Sequence, residues 1–340
     1  MYGRAVLVLA GGKAARFQML NQPWQDKALA LIKGKPLLVK AIENVQGVVD
    51  EVAVCVNNEE RKTQYSKVLK QHNLEDVKFV VDQINCPVKG PALAIMSGLH
   101  AVSSAQCLTL PVDMPFLKAE IADYMFAASK ESDVTIPMWP NGALETLVMV
   151  LNRQNAIEIA DTICILNKPR ANNIARGANK LLLVSPMQQI RTLDPQLESF
   201  RNINTQADLN NLPARSTEGM VKENQYIDRG HQFSSDISRL QEGAKLLLKS
   251  NLTEAQRLFE ECQNSFKAQN RHFWAALSAE KRAEALKGMK KQFSSHANEV
   301  CKQAGDSYEA EAKEYLAVGC MRLAECAIAD KEYCQKQVAN

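Results

Sequence analysis

Ala5-Val6-Leu7-Val8-Leu9-Ala10-Gly11-Gly12-Lys13-Ala14-Ala15-Arg16-Phe17 is the stretch on which the reading of this chain turns. Residues 5–10 have the length and apolar character of a buried strand. Two glycines follow at once. Glycine allows positive φ and a close approach of backbone to a bound group, and successive N–H groups in such a turn form an anion-binding hollow. Lys13 and Arg16 place cationic heads beside it, a distribution suited to a triphosphate. By itself the segment is equally a tight strand exit with solvated bases, so the rest of the chain must separate the two readings.

Outward from this stretch, short β-branched runs alternate with amphipathic helical stretches up to about residue 212. Strands are expected at 5–10, 52–56, 77–82, 107–111, 133–137 and 146–151. Helices are expected at 36–45, 91–102 and 121–128, with a charged helix ending near 71. Alternation of this kind implies right-handed crossovers and a mostly parallel sheet with helices on both faces. Ligands on such sheets bind at the carboxyl ends of the strands, where the Gly-Gly segment falls.

Residues 213–233 are polar without a sustained period and read as a linker. Beyond them the pattern is helical at 235–250, 253–267 and 273–287 and on to about 330. Gly243, Leu246, Ala255 and Phe259 fall where a tetratricopeptide-like helix pair has its small and large packing residues, and the match is poor after that pair. The expected organisation is an α/β domain over 1–212, the linker, and an all-α helical-hairpin domain over 234–340 with a core of its own and few contacts to the first domain.

Of the 340 residues, 46% are hydrophobic, enough for a buried core and too many for a disordered chain. The net charge of +3 gives no global pull towards nucleic acid. No stretch approaches the length of a membrane span, and the N-terminal apolar run lacks a signal-peptide cleavage region. The nine cysteines are scattered without metal-site or disulfide spacing, so reduced, buried thiols and a cytoplasmic location are expected. His100, in an apolar helix, reads as packed.

Companion segments favour the phosphate reading. Asp26-Lys27-Ala28-Leu29 and Gly34-Lys35-Pro36-Leu37-Leu38 return the chain to the same edge, and Lys27 can neutralise phosphate charge. Asp113 follows the fourth strand in Leu110-Pro111-Val112-Asp113-Met114-Pro115-Phe116-Leu117. A carboxylate there is placed to hold Mg²⁺ against phosphates. Alone, Asp-x-Pro is also ordinary turn chemistry.

Taken in order, L-A-G-G-K-x-x-R-F, D-K-A-L, G-K-P-L, G-P-A-L-A from Gly90, V-D-M-P-F-L and R-N-I-N-T-x-x-D-L resemble the molybdenum cofactor guanylyltransferase-like nucleotidyltransferases over roughly residues 6–212. The resemblance implies a Rossmann-like fold and an NTP site. Leu9, Ala10, Gly11 and Gly12 would line the base and phosphates. Lys13, Arg16 and Lys27 would meet the triphosphate, Asp82 would lie near the nucleoside, and Asp113 would ligate Mg²⁺. Asn202 and Asn204 would face the acceptor, although Asn204 or Thr205 reads equally as a helix cap. The Ala-Gly-Gly ending is similar to guanine-selecting members. In two places the chain departs from the pattern. Residues 12–26 are longer than in the compact enzymes and include Trp24, a length closer to sugar-phosphate nucleotidyltransferases. Thr146 stands where a proline is common.

The chemistry implied is in-line attack of an acceptor phosphate on the α-phosphorus of an NTP, GTP by expectation, with Arg16, Lys27 and Asp113 catalytic. Molybdopterin is the acceptor the resemblance suggests. Competing readings are transfer to a sugar-1-phosphate or other small phosphate, and a nucleotide-binding module whose helical domain recruits a protein partner.

Overall fold

The computed structural model describes residues 3–18, 23–82, 86, 88–210, 216–230, 235–289 and 293–339. In chain order the elements are β1 (Arg4–Leu9), a hairpin of β2 (Leu31–Ile32) and β3 (Lys35–Pro36), α1 (Leu37–Val45), β4 (Glu51–Val56), α2 (Glu59–Gln71), β5 (Lys78–Val81), α3 (Pro91–Ala101), β6 (Gln106–Pro111), α4 (Ala119–Ala128), β7 (Val134–Pro137), β8 (Met149–Asn152), α5 (Arg153–Ile165), α6 (Asn172–Gly177), β9 (Lys180–Val184), α7 (Arg191–Leu193) and β10 (Gln225–Asp228). Five long helices follow: α8 (Ser235–Leu248), α9 (Leu252–Ala268), α10 (His272–Met289), α11 (Ser294–Ala317) and α12 (Met321–Ala339). Each packs on the next.

The main sheet has the order β10-β9-β7-β8-β6-β1-β4-β5. It is mostly parallel, as expected, with β8 antiparallel to both neighbours and β10 antiparallel to β9. Period-two alternation on β1 feeds two cores. Ala5 and Leu7 join α3 and α5 on one face, and Val6 and Val8 join α1, α2 and α4 on the other. Gly98 lets α3 lie directly on β1 and β4, because a Cβ there would come within 2.9 Å of Cys55 Sγ and 3.0 Å of Leu7 Cδ1. Register then aligns the strand ends. Leu9 lies opposite Cys55 and Pro111, and Val56 opposite Val81, so the residues just past β1, β4, β5 and β6 share one edge.

Three expectations are corrected. The stretch expected to be a linker contains β10, paired with β9 in the register Ile227↔Leu181. Only Ile227 of its four residues is buried, so an edge strand hides inside polar text; the proposed limits of that linker, around 212 and 233, lie outside the described residues. The helical stripes do not close only on one another. Phe273, Trp274, Tyr308, Tyr315 and Leu323 belong to the same apolar cluster as Ile159, Ile174 and Leu181. Polar clamps cross the same boundary. Arg176 bonds Glu311 at 2.7 and 2.8 Å and Asp330 at 2.6 Å, Lys168 bonds Glu280 at 2.8 Å, and Trp274 Nε1 donates to Gly177 O at 3.0 Å. Finally, His100 is exposed and pairs with Asp161 at 2.8 Å instead of packing inward.

The first helical pair does use Gly243 against Phe259. All nine cysteines are free, eight of them buried. Among the described residues no helix is long and apolar enough to cross a membrane.

Candidate active site

At the shared strand edge lies a cleft of about 850 Å³ lined by residues 9–14, Asp26, Lys27, Ala28, Asn57, Asp82, residues 88–91 and Asp113, among others. The loop after β1 forms its floor differently from expectation. Ala10 N donates to Cys55 O at 2.9 Å, which extends the strand by one residue. The positive φ falls at Ala14 (47°) and at neither Gly11 nor Gly12. Gly11 eases a close approach, since a Cβ would sit 3.3 Å from Asn57 N and press it back by a few tenths of an ångström, while a Cβ on Gly12 would meet only open space. Among the described residues none accepts from the N–H groups of Gly11, Gly12 or Lys13. Phe17, buried against Ile32, Leu37 and Ile203, pins the far end of the loop.

Asp26 carries Lys27 to the cleft. Its Oδ1 accepts from Ala28 N at 3.0 Å and caps a single 3₁₀ turn over Lys27–Leu29. Lys27 Nζ meets Asp113 Oδ2 at 2.8 Å, with the lysine side chain 10% and the aspartate 28% exposed. Asp113 stands two residues past β6, and its carbonyl accepts from Ile203 N at 2.9 Å. This backbone contact lays Asn202 and Asn204 alongside it. Asn204 Oδ1 accepts from Arg16 Nη2 at 3.1 Å. Thr205 and Asp208 cap the local turn reciprocally: Thr205 Oγ1 accepts from Asp208 N at 3.4 Å, and the Asp208 carboxylate takes the N–H groups of Asn204 (2.7 Å) and Thr205 (2.8 Å). Burial acts to raise the Asp208 pKa, but those N–H groups outweigh it and hold the carboxyl low.

Asp82, one residue past β5, has a buried Oδ1 with no partner among the described residues. Burial pushes its carboxyl up to about 6. Asn202 Oδ1 is likewise buried and unpartnered. The structure thus gathers Leu9, Ala10, Gly11, Gly12, Lys13, Lys27, Asp82 and Asp113 around one cleft. Arg16, Asn202 and Asn204 lie outside its lining and are tied to it through Ile203 and Asp113.

Three residues at the site escaped the sequence reading. Asn57 lines the cleft just past β4. Arg61 and Tyr65, on α2, are buried behind the loop after β1. Arg61, Tyr65 and Leu69 recur every four residues and share the buried face of α2. That spacing was the available signal, obscured by the charge of the helix. Trp24, in the long segment after Gly12, is 55% exposed and sits against the Arg61 guanidinium at 5.5 Å. Residues 19–22 of that segment lie outside the described residues.

Asp113 fits an Mg²⁺ ligand in kind. No group of three or more His, Cys, Asp or Glu among the described residues can hold a metal alone, and Mg²⁺ is commonly held by one or two carboxylates with substrate phosphates completing the shell.

A cleft at the ends of parallel strands that offers N–H groups unpaired among the described residues, the Lys27 ammonium and the Asp113 carboxylate suits a nucleoside triphosphate held by its phosphates. That arrangement defines the class, a nucleotidyltransferase. Residues 6–178 match the MobA-like NTP transferase domain, and the chain belongs to that family. It is similar to the probable molybdenum cofactor guanylyltransferase of Methanosarcina acetivorans, 31% identical over 212 residues, 62% of this chain and 89% of that one. The corresponding Methanosarcina mazei protein is 31% identical over 224 residues, 63% and 92% of the two chains. In fold it is similar to molybdopterin-guanine dinucleotide biosynthesis protein A from Archaeoglobus fulgidus, with TM-score 0.50, 22% identity, and coverage of 61% of this chain and 95% of that one.

Proposed function

We propose that this enzyme transfers GMP from GTP to the phosphate of a small-molecule acceptor of the molybdopterin type, releasing pyrophosphate. The observation that carries the reading is the Lys27–Asp113 pair beside a loop whose N–H groups are unpaired among the described residues. The choice of GTP and of the acceptor follows the activity named for the relatives.

In the reaction an acceptor phosphate oxygen forms a bond to the α-phosphorus as the bond from that phosphorus to the bridging oxygen of the leaving pyrophosphate breaks. A phosphate monoester is already nucleophilic at neutral pH, so the protein need not supply a general base. Its work is alignment and charge stabilisation. The N–H groups of Gly11 to Lys13 would cradle the phosphates, with Lys13 and Arg16 adding charge. Lys27 would exchange Asp113 for a phosphate oxygen. Asp113 would hold Mg²⁺, which when bound supplies charge neutralisation on the α-phosphate and the leaving group. Asp82, whose Oδ1 has no partner among the described residues, would accept from nucleoside N–H or O–H groups. Asn202 and Asn204, beside Asp113, would face the acceptor.

The apolar stripes of the helical part lie in one buried cluster with α5, α6 and β9. The test is pyrophosphate release with GTP, ATP, CTP and UTP against molybdopterin and a panel of sugar-1-phosphates. Turnover with GTP and molybdopterin supports the reading. Turnover only with a sugar phosphate would move the enzyme to the competing acceptor class, and nucleotide binding without turnover on any acceptor would oppose a transferase.

A further inference from the structure

We infer that Arg61 and Tyr65 are positioning residues that set both halves of the phosphate-binding apparatus, the loop after β1 and the turn that carries Lys27. The inference rests on the transferase reading above and adds to it two side chains that touch no substrate position themselves.

The first half is the loop. Arg61 Nη1 donates to Gly12 O at 3.0 Å and to Ala10 O at 3.2 Å. Peptide units are planar and trans, so each C=O points opposite to the N–H of the next residue. Holding the Ala10 and Gly12 carbonyls on the α2 side turns the N–H groups of Gly11 and Lys13 the other way. Those are among the groups that find no acceptor among the described residues, and both residues line the cleft. A buried cation behind the loop thus converts a flexible Gly-Gly exit into a fixed set of donors.

The second half is Lys27. Tyr65 OH donates to Asp26 Oδ2 at 2.7 Å, and Arg61 Nε lies 3.5 Å from the same oxygen. The other oxygen of Asp26 caps the turn that begins at Lys27. Tyr65 is fully buried. Burial, and then the charge of Asp26, raise its pKa, so it remains a phenol donor at any working pH. Arg61 and Tyr65 lie one helical turn apart on α2, as i and i+4 neighbours must. One face of one helix therefore holds both the donors for the triphosphate and the cation beside Asp113. A guanidinium suits the position because its planar fork can reach two carbonyls and a carboxylate together, whereas an ammonium is a point donor.

The test uses the full chain with Arg61→Ala, Arg61→Lys and Tyr65→Phe. Calorimetric titration measures GTP with Mg²⁺ and inorganic tripolyphosphate, guanosine is measured by competition, and steady-state rates separate KM from kcat. Misplacement of a binding group by about 1 Å can cost about 10²-fold. Arg61→Ala is expected to weaken GTP and tripolyphosphate by about that factor while leaving guanosine within about twofold. Arg61→Lys should fall between it and wild type, and Tyr65→Phe should lose several-fold, with the loss appearing in KM for GTP. A merely structural role would lower kcat per mole of protein in step with the folded fraction and leave KM unchanged; that result overturns the inference. So does wild-type affinity in Arg61→Ala. If Arg61→Ala fails to fold, Arg61→Lys and Tyr65→Phe decide, and unchanged affinity for tripolyphosphate in both overturns it. Wild-type protein that binds neither GTP nor tripolyphosphate overturns the transferase reading and this inference together, an outcome read from the wild-type arm alone.

Discussion

Acidification from pH 7 to pH 5 is expected to weaken GTP binding about tenfold through Asp82 alone. The carboxyl stands in the cleft with one buried oxygen that has no partner among the described residues, and burial pushes it up to about 6. At that value about nine-tenths of it is ionised at pH 7 and about one-tenth at pH 5. A carboxylate accepts from nucleoside donors with both oxygens, while its protonated form gives up one acceptor and becomes a donor. Affinity should therefore fall with decreasing pH, approaching tenfold per pH unit below 6. For folding the sign is opposite. The folded chain holds this proton more tightly than the unfolded chain, so the group favours folding at low pH, and that contribution is lost as pH rises through about 6. Weaker binding in acid would thus not reflect weaker folding at this residue. Asp82→Asn supplies the control, since it cannot titrate. The measurement is the ratio of wild-type to Asp82→Asn affinities for GTP from pH 5 to 8, in which titration of the nucleotide phosphates cancels. A rise in wild-type advantage of about tenfold between pH 5 and 7 is expected. A ratio that stays constant over the range refutes the assignment.

Asp113→Ala is expected to abolish Mg²⁺-dependent pyrophosphate release and leave the far-ultraviolet circular dichroism unchanged; near-normal activity would remove Asp113 from the mechanism. Equilibrium binding should rank GTP above ATP, CTP and UTP, and equal affinities would count against the guanylyl reading while sparing the transferase. Arg176→Ala strands the fully buried Glu311 and should cost about 3–5 kcal/mol. Because one apolar cluster spans both parts, urea unfolding of this variant should shift as a single transition whether followed through the sheet or the helices. Loss confined to the helical signal would show two independent cores. A chain cut after residue 212 should be insoluble or molten, because it exposes the faces of α5, α6 and β9 that the helices cover; a soluble, cooperatively folded product would defeat that reasoning.

What could be read from the residues alone was whatever is local. The apolar run into Gly11-Gly12, the Asp26-Lys27 turn and Asp113 past a strand are short-range patterns; register places the first and the last at one edge once the strands are parallel, while side-chain contacts with Tyr65 and Asp113 bring the turn there. Even there, tertiary contact changed the reason for a residue. Gly11 serves close approach to Asn57, and the positive φ belongs to Ala14. Arg61 was invisible for a different cause. A charged residue on a charged helix reads as solvated until the loop after β1 folds over it and offers two carbonyls. The same holds for the last third of the chain. Its helices were legible because a 3.6-residue period is local, but the surface their apolar stripes would cover was not. Hydrophobic burial is non-directional, so a stripe can close on its own neighbours or on α5, α6 and β9 equally well by pattern. What decided between them was long-range pairing between distant residues: Trp274 under Gly177, Arg176 with Glu311, and β10 added to the sheet edge by one buried isoleucine.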